Sequence, residues 1–168
     1  MKVAYAGESQ MIVEDALNRM DEILDQGQLP NVTEGAAIQD ASIKLQDVTF
    51  AYDEAKENAI DGITIDIKAG DHVAFVGPSG GGKTTLASLI ARFWDVKSGS
   101  ISIGGVDVRN INTDELMNQV SYVFQDSKLL KMSIYDNVRM GKKDATREEV
   151  MEALKNAQCE DIIAKMPN

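Results

Sequence analysis

The chain has a single cysteine, Cys159, and a single histidine, His72, among 168 residues. One thiol cannot form an internal disulfide and fits a reducing compartment; Cys159 reads as a buried or incidental thiol in a helix. No Cys/His metal cluster can be assembled. Histidine catalysis would rest on His72 alone, which reads as a structural residue at a strand edge. No apolar run approaches the roughly 18–20 residues that span a bilayer, and the N-terminus lacks the charged-then-apolar pattern of a secretion signal. The chain is therefore expected not to cross a membrane itself. Positive charge is scarce too, with 17 Lys and Arg against 27 Asp and Glu and a formal net charge of −10. Binding a polyanion requires a basic surface that displaces counterions, so a general nucleic-acid binder is excluded. Aromatic residues make up 5% of the chain, but hydrophobic ones reach 43%, enough for one globular domain with a core and an appendage. The acids are uneven: residues 1–60 hold 12 acidic and 4 basic side chains, residues 61–168 hold 15 and 13.

What the chain does have is a dense glycine motif. Gly77-Pro78-Ser79-Gly80-Gly81-Gly82-Lys83-Thr84 fills the pattern G-x-x-x-x-G-K-[ST]. Glycines let successive backbone N–H groups turn onto phosphate oxygens without Cβ clashes, and the positive end of a following helix adds to the attraction. In such a loop Lys83 reaches the β/γ-phosphates and the Thr84 hydroxyl ligates Mg²⁺. The flanks fit this reading. His72–Val76 is a short apolar run expected to form a strand buried on both faces, and Thr85–Trp94 has helical spacing.

The remaining elements follow from periodicity. Val13, Leu17, Met20 and Leu24 form one apolar stripe with acids opposite, which predicts an amphipathic helix over 11–24, ended near Gly27 and Pro30. Residues 29–40 read as a linker. Alternation at Ile43, Leu45, Val48 and Phe50, and at Ile63, Ile65 and Ile67, predicts half-buried antiparallel strands with a loop at Asp53–Asn58 between them. Ala69-Gly70-Asp71 is expected to be a tight turn. A strand at Ser100–Ile103, the Gly104-Gly105 turn, a helical turn near Thr113–Asn118 and an apolar strand at Val120–Phe124 follow. Beyond Gln125 the pattern is helical, over Ser133–Met140 and again from Thr146, where Glu149 completes a capping-box spacing.

Taken together, these motifs resemble the nucleotide-binding domain of ATP-binding cassette (ABC) transporters of the exporter type. Four stretches carry the resemblance. Gly77–Thr85 is similar to the family's Walker A sequence. Val48-Thr49-Phe50-Ala51-Tyr52 places Tyr52 where the family keeps an aromatic that stacks on adenine. Val120-Ser121-Tyr122-Val123-Phe124-Gln125-Asp126 is similar to the Q-loop, and Leu129–Val138 to the start of the helical subdomain. The fold implied is α/β, a P-loop NTPase core with an antiparallel β region, the start of a helical subdomain and an incomplete sheet. The implied domains are an amphipathic helix at 1–28 resembling the connection from a membrane domain, the linker at 29–40, and a partial cassette at 41–168. Within that cassette the β region and phosphate loop occupy 41–125, and the helical subdomain starts at about 126–168.

By resemblance, the implied cofactors are ATP and Mg²⁺, bound by Tyr52, Gly77, Pro78, Ser79, Gly80, Gly81, Gly82, Lys83, Thr84 and Thr85. Lys83 and Gln125 are the implied catalytic residues, and Thr84 and Gln125 the metal ligands. The implied partners are a transmembrane domain of the same transporter and a second nucleotide-binding domain. The implied place of the intact ATPase is the cytoplasmic face of the cell membrane. The signature sequence L-S-G-G-Q, the Walker B strand with its catalytic glutamate, and the switch histidine do not occur in this sequence. The chain is accordingly expected to be a soluble N-terminal portion of a cassette that binds MgATP at most and does not hydrolyse it. A small P-loop phosphotransferase and a non-catalytic nucleotide-binding module stay open as alternatives.

Overall fold

The computed structural model describes residues 11, 13–21, 24, 29–53 and 55–165. These fall into two compact units, one extending to Ser121 and the other beginning at Tyr122. Residues 13–21, here α1, are helical, and Val13, Leu17, Met20 and Leu24 are exposed. The stripe predicted from spacing is therefore present, and its side chains are exposed among the described residues. Residues 12, 22, 23 and 27 of that expectation lie outside the described residues.

The first unit is built on a four-stranded sheet of β1 (Ile43–Phe50), β2 (Ile60–Ile67), β3 (Ser98–Ile103) and β4 (Val106–Asp107), in the order β2-β1-β3-β4. All three pairings are antiparallel. The apolar period of β1 changes phase, from Ile43 and Leu45 to Val48 and Phe50, because the strand carries a bulge between them. An extra residue in one strand flips the faces that follow it. Asp47 sits in the bulge at a φ of 48°, and its N–H donates to Thr64 Oγ1 at 3.0 Å. Gly99 of β3 lies against the bulge with a φ of 82°, and any Cβ there would collide with the carbonyls of Gln46 and Asp47.

Helix α2 (Lys83–Ile90) lays Leu86 and Leu89 on the core formed by Leu45, Val48, Phe50, Ile60, Ile101 and Ile103. Each such side chain contributes roughly 1.5–3 kcal/mol when removed from water. The helix stops four residues short of the Trp94 expected from spacing, because Arg92 turns left-handed at a φ of 55°. The Arg92 side chain offsets that strain by donating to Asp95 Oδ1 at 3.0 Å, Val108 O at 3.2 Å and Pro30 O at 2.7 Å. A 3-10 turn, η1 (Val108–Asn110), leads to α3 (Thr113–Gln119), capped by Asn112. Segment 30–39 is fastened to this region. Asn112 Nδ2 donates to Val32 O, Thr113 N to Asn31 Oδ1, and Ala36 N to Asn110 O, at 2.9 to 3.1 Å.

Two expected strands do not form. Residues 71–78 and 120–124 have no ladder partner among the described residues, and an extended chain becomes a strand only beside a neighbour. Val76 and Val123, expected to be buried, are 89% and 88% exposed. His72 is correspondingly an exposed residue outside any strand rather than a strand-edge residue.

The second unit contains α4 (Ile134–Arg139), α5 (Arg147–Asn156) and α6 (Glu160–Ile163). Cys159 is its half-buried free thiol, at the N-cap of α6. Ser133 caps α4, and the predicted capping box of Thr146 and Glu149 opens α5 with both reciprocal bonds made. The Lys142 ammonium, 2.6 Å from Glu149 Oε1, and the Thr146 N–H hold the Glu149 carboxyl below its ordinary value. A carboxyl depressed in the folded state stabilises above its unfolded value and loses that contribution as pH falls through the folded one. Acid titration followed by far-ultraviolet circular dichroism should therefore show helix loss that is shallower in Glu149→Gln. Identical acid limbs in the two proteins would show that the pair carries no pH dependence.

Candidate functional site

The phosphate loop of residues 77–82 ends at the first turn of α2. Gly82 is the N-cap, at a φ of 74°, and no side chain caps this turn. The first turn of α2 also carries no acidic residue, whereas α3, α4 and α5 each have a side-chain cap and at least one acid there. An uncapped first turn leaves the N–H groups of Lys83, Thr84 and Thr85 without intrahelical partners at the positive end of the helix dipole. Anions are bound by that arrangement.

Gly80 and Gly82 need glycine for different reasons. At Gly80, with a φ of 78°, a Cβ would meet nothing within 4 Å, so that side of the loop is open. At Gly82 a Cβ would fall 2.5 Å from Ala59 O and 2.7 Å from Ile60 Cδ1, where the loop presses on the start of β2. The Lys83 ammonium folds back across the loop and donates to Gly77 O at 3.1 Å and Pro78 O at 2.6 Å. The loop thus closes around a positive charge. First-turn amides, this ammonium and the exposed hydroxyls of Ser79 and Thr84 form a donor set that fits a polyphosphate. Among the described residues no group of three or more His, Cys, Asp or Glu side chains could hold a metal. A divalent cation here would depend on Thr84 Oγ1 together with phosphate oxygens.

Tyr52 lies just beyond β1 and is 41% exposed. Its hydroxyl is 3.0 Å from Thr85 Oγ1, so the Thr85 side chain is buried and occupied, while its backbone N–H remains in the first turn of α2. A groove of about 940 Å³ opens beside Tyr52, lined among others by Phe50, Asp53, Phe93, Trp94 and Lys97. Trp94 and Lys97 had no site role in the sequence pattern; the one available signal was that Trp94 is the chain's sole tryptophan, placed shortly after the phosphate-loop helix. Gln125 belongs to the second unit, where it is exposed in a bend.

The sequence pattern of the ABC transporter family matches residues 60–167. The chain belongs to the ABC transporter family. It is 42% identical over 127 residues to the ATP-dependent lipid A-core flippase of Desulfotalea psychrophila, covering 76% of this chain and 22% of that protein. It is 37% identical over 152 residues to the beta-(1-->2)glucan export ATP-binding/permease protein of Agrobacterium fabrum, covering 90% of this chain and 24% of that one. This ABC chain thus spans about a quarter of the length of the curated relatives it matches. A bacterial Atm1-family ABC exporter solved with ATP bound superposes over 97% of this chain and 29% of its own, with a TM-score of 0.81 and 32% identity. The fold is accordingly that of an ABC ATPase domain, a P-loop NTPase.

In this ABC chain, Gly82→Ala combines an unfavourable left-handed φ with a backbone collision. It should cost about 2–4 kcal/mol of stability, measured by urea unfolding. A cost below about 0.5 kcal/mol would mean that the loop does not press on Ala59 as described.

Proposed function

We propose that this chain is the ATP-binding part of an ABC exporter ATPase and that it binds MgATP through residues 77–85. The observation that carries the reading is the uncapped first turn of α2 with the Lys83 ammonium held inside the loop. In this reading the amides of Ser79 to Thr85 hold phosphate oxygens and Lys83 exchanges its two carbonyl partners for β/γ-oxygens. Such an exchange keeps the charge hydrogen-bonded throughout, and bonds to charged groups are roughly twice as strong as neutral ones. Thr84 offers its hydroxyl to the cation, and Tyr52 its ring face to adenine. Gln125 reads as the residue that meets the metal or the attacking water. Mg²⁺ bound with ATP supplies neutralisation of charge between the phosphates.

The similarity to fused ATP-binding/permease proteins supports a transmembrane domain of the same transporter as partner, with residues 1–28 as the connection and 29–40 as the linker. It likewise supports a second cassette as dimer partner and placement at the cytoplasmic face of the membrane. No helix among the described residues is long and apolar enough to cross a membrane. In this family the attacking water is polarised by a glutamate that follows the Walker B strand, and that motif and the signature sequence do not occur in the sequence. The chain alone therefore binds without turnover.

Titration with labelled ATP should show Mg²⁺-dependent binding that Lys83→Ala weakens at least about tenfold, the value of one charge-assisted bond. Phosphate release should stay at background. Absence of binding by the wild-type chain would overturn the proposal, and turnover at the rate of an intact cassette would overturn the assignment of hydrolysis to residues outside it.

A further inference from the structure

Tyr52 is held at three points, by residues from β1, from α2 and from the turn that follows α2. Its ring stands near-perpendicular to Phe50 at the end of β1, with centroids 4.9 Å apart and an interplanar angle of 82°. It stands near-perpendicular to Trp94 as well, at 5.4 Å and 88°. Its hydroxyl meets Thr85 Oγ1 of α2 at 3.0 Å. Trp94 in turn follows the left-handed turn at Arg92, whose buried guanidinium is bonded to Asp95, Val108 and Pro30. An aromatic ring flanked on two sides and tied at its tip keeps few rotamers. The exposed part of that ring opens on the groove of about 940 Å³.

We propose that Trp94 is a positioning residue that sets Tyr52 as a base-binding platform, and that the Tyr52–Thr85 hydrogen bond ties this platform to the phosphate loop. The proposal rests on the reading of residues 77–85 as the phosphate cradle for ATP. The Thr85 side chain then serves the base end of the site and only its backbone serves the phosphates. A platform fixed before the ligand arrives loses little side-chain entropy on binding, so the benefit falls on ligands that carry a base. Inorganic tripolyphosphate has the same phosphates and no base, and the ratio of the two affinities isolates the platform.

The test is calorimetry of the whole chain with ATP and with inorganic tripolyphosphate, both with Mg²⁺. Wild type is expected to bind ATP more tightly, and ATP but not tripolyphosphate should change the emission of Trp94, the chain's only tryptophan. Trp94→Ala should lower the ATP-to-tripolyphosphate affinity ratio roughly fivefold, equivalent to one aromatic pair, and Trp94→Phe should recover most of it. Tyr52→Phe, which keeps the ring and removes only the tie to Thr85, should lower the ratio roughly threefold. A merely structural role for Trp94 weakens both ligands equally and leaves the ratio at its wild-type value, which would overturn the proposal. If Trp94→Ala fails to fold, Tyr52→Phe decides, and an unchanged ratio there overturns it. A wild-type chain that binds tripolyphosphate and ATP equally also overturns the platform, while one that binds neither overturns the phosphate cradle itself.

Discussion

Leu86 and Leu89 of α2 are buried against the β1–β3 face of the sheet, and Leu89 is wholly excluded from water. That seating decides where the first turn of α2 opens, and therefore where the unpartnered amides and the Lys83 ammonium stand. Burial of two leucines supplies several kcal/mol, more than the local cost of the left-handed glycines that lead into the helix. The loop can adopt a conformation with little intrinsic stability because a packed helix holds one end and β2, through Ala59 and Ile60, blocks the other side. A phosphate-binding loop requires this arrangement: amides without intrahelical acceptors, held on a packed frame.

The far end of α2 is secured differently. Arg92 breaks the helix and donates from each of its three guanidinium nitrogens, to Asp95, Val108 and Pro30, so a buried charge is paired and hydrogen-bonded. The same guanidinium reaches the segment at 30–39, which is also fastened through Asn31, Val32 and Ala36. A stretch without periodicity thus becomes part of the first unit through backbone carbonyls and amides. The turn at Arg92 also delivers Trp94 to Tyr52, which links segment 30–39, the helix end and the groove beside Tyr52 through one residue.

Apolar residues outside this frame remain in water. Val73, Val76, Val123 and Phe124 are exposed in segments that have strand-like sequences and no ladder partner among the described residues. Unpaired extended apolar segments are templates for pairing with another chain. Electrostatics opposes such association only through the net charge of −10, much of it carried by residues 1–60.

Local information was enough for much of this molecule. Residue order alone determined the phosphate loop, the β1, β2 and β3 strands, the Thr146 capping box and the family, because glycine spacing, period-two alternation and capping act over a few neighbours. The same local signals failed at His72–Val76 and Val120–Phe124, because a strand exists only when a second chain segment accepts its hydrogen bonds. They also ran α2 on to Trp94, since nothing in the spacing reveals that a buried guanidinium stabilises a left-handed turn. Tyr52 was legible as an aromatic at a set distance before the loop. Its restraint by Trp94 and Thr85 was decided by tertiary structure alone, because the end of β1 meets α2 and the turn after it only once the core has packed.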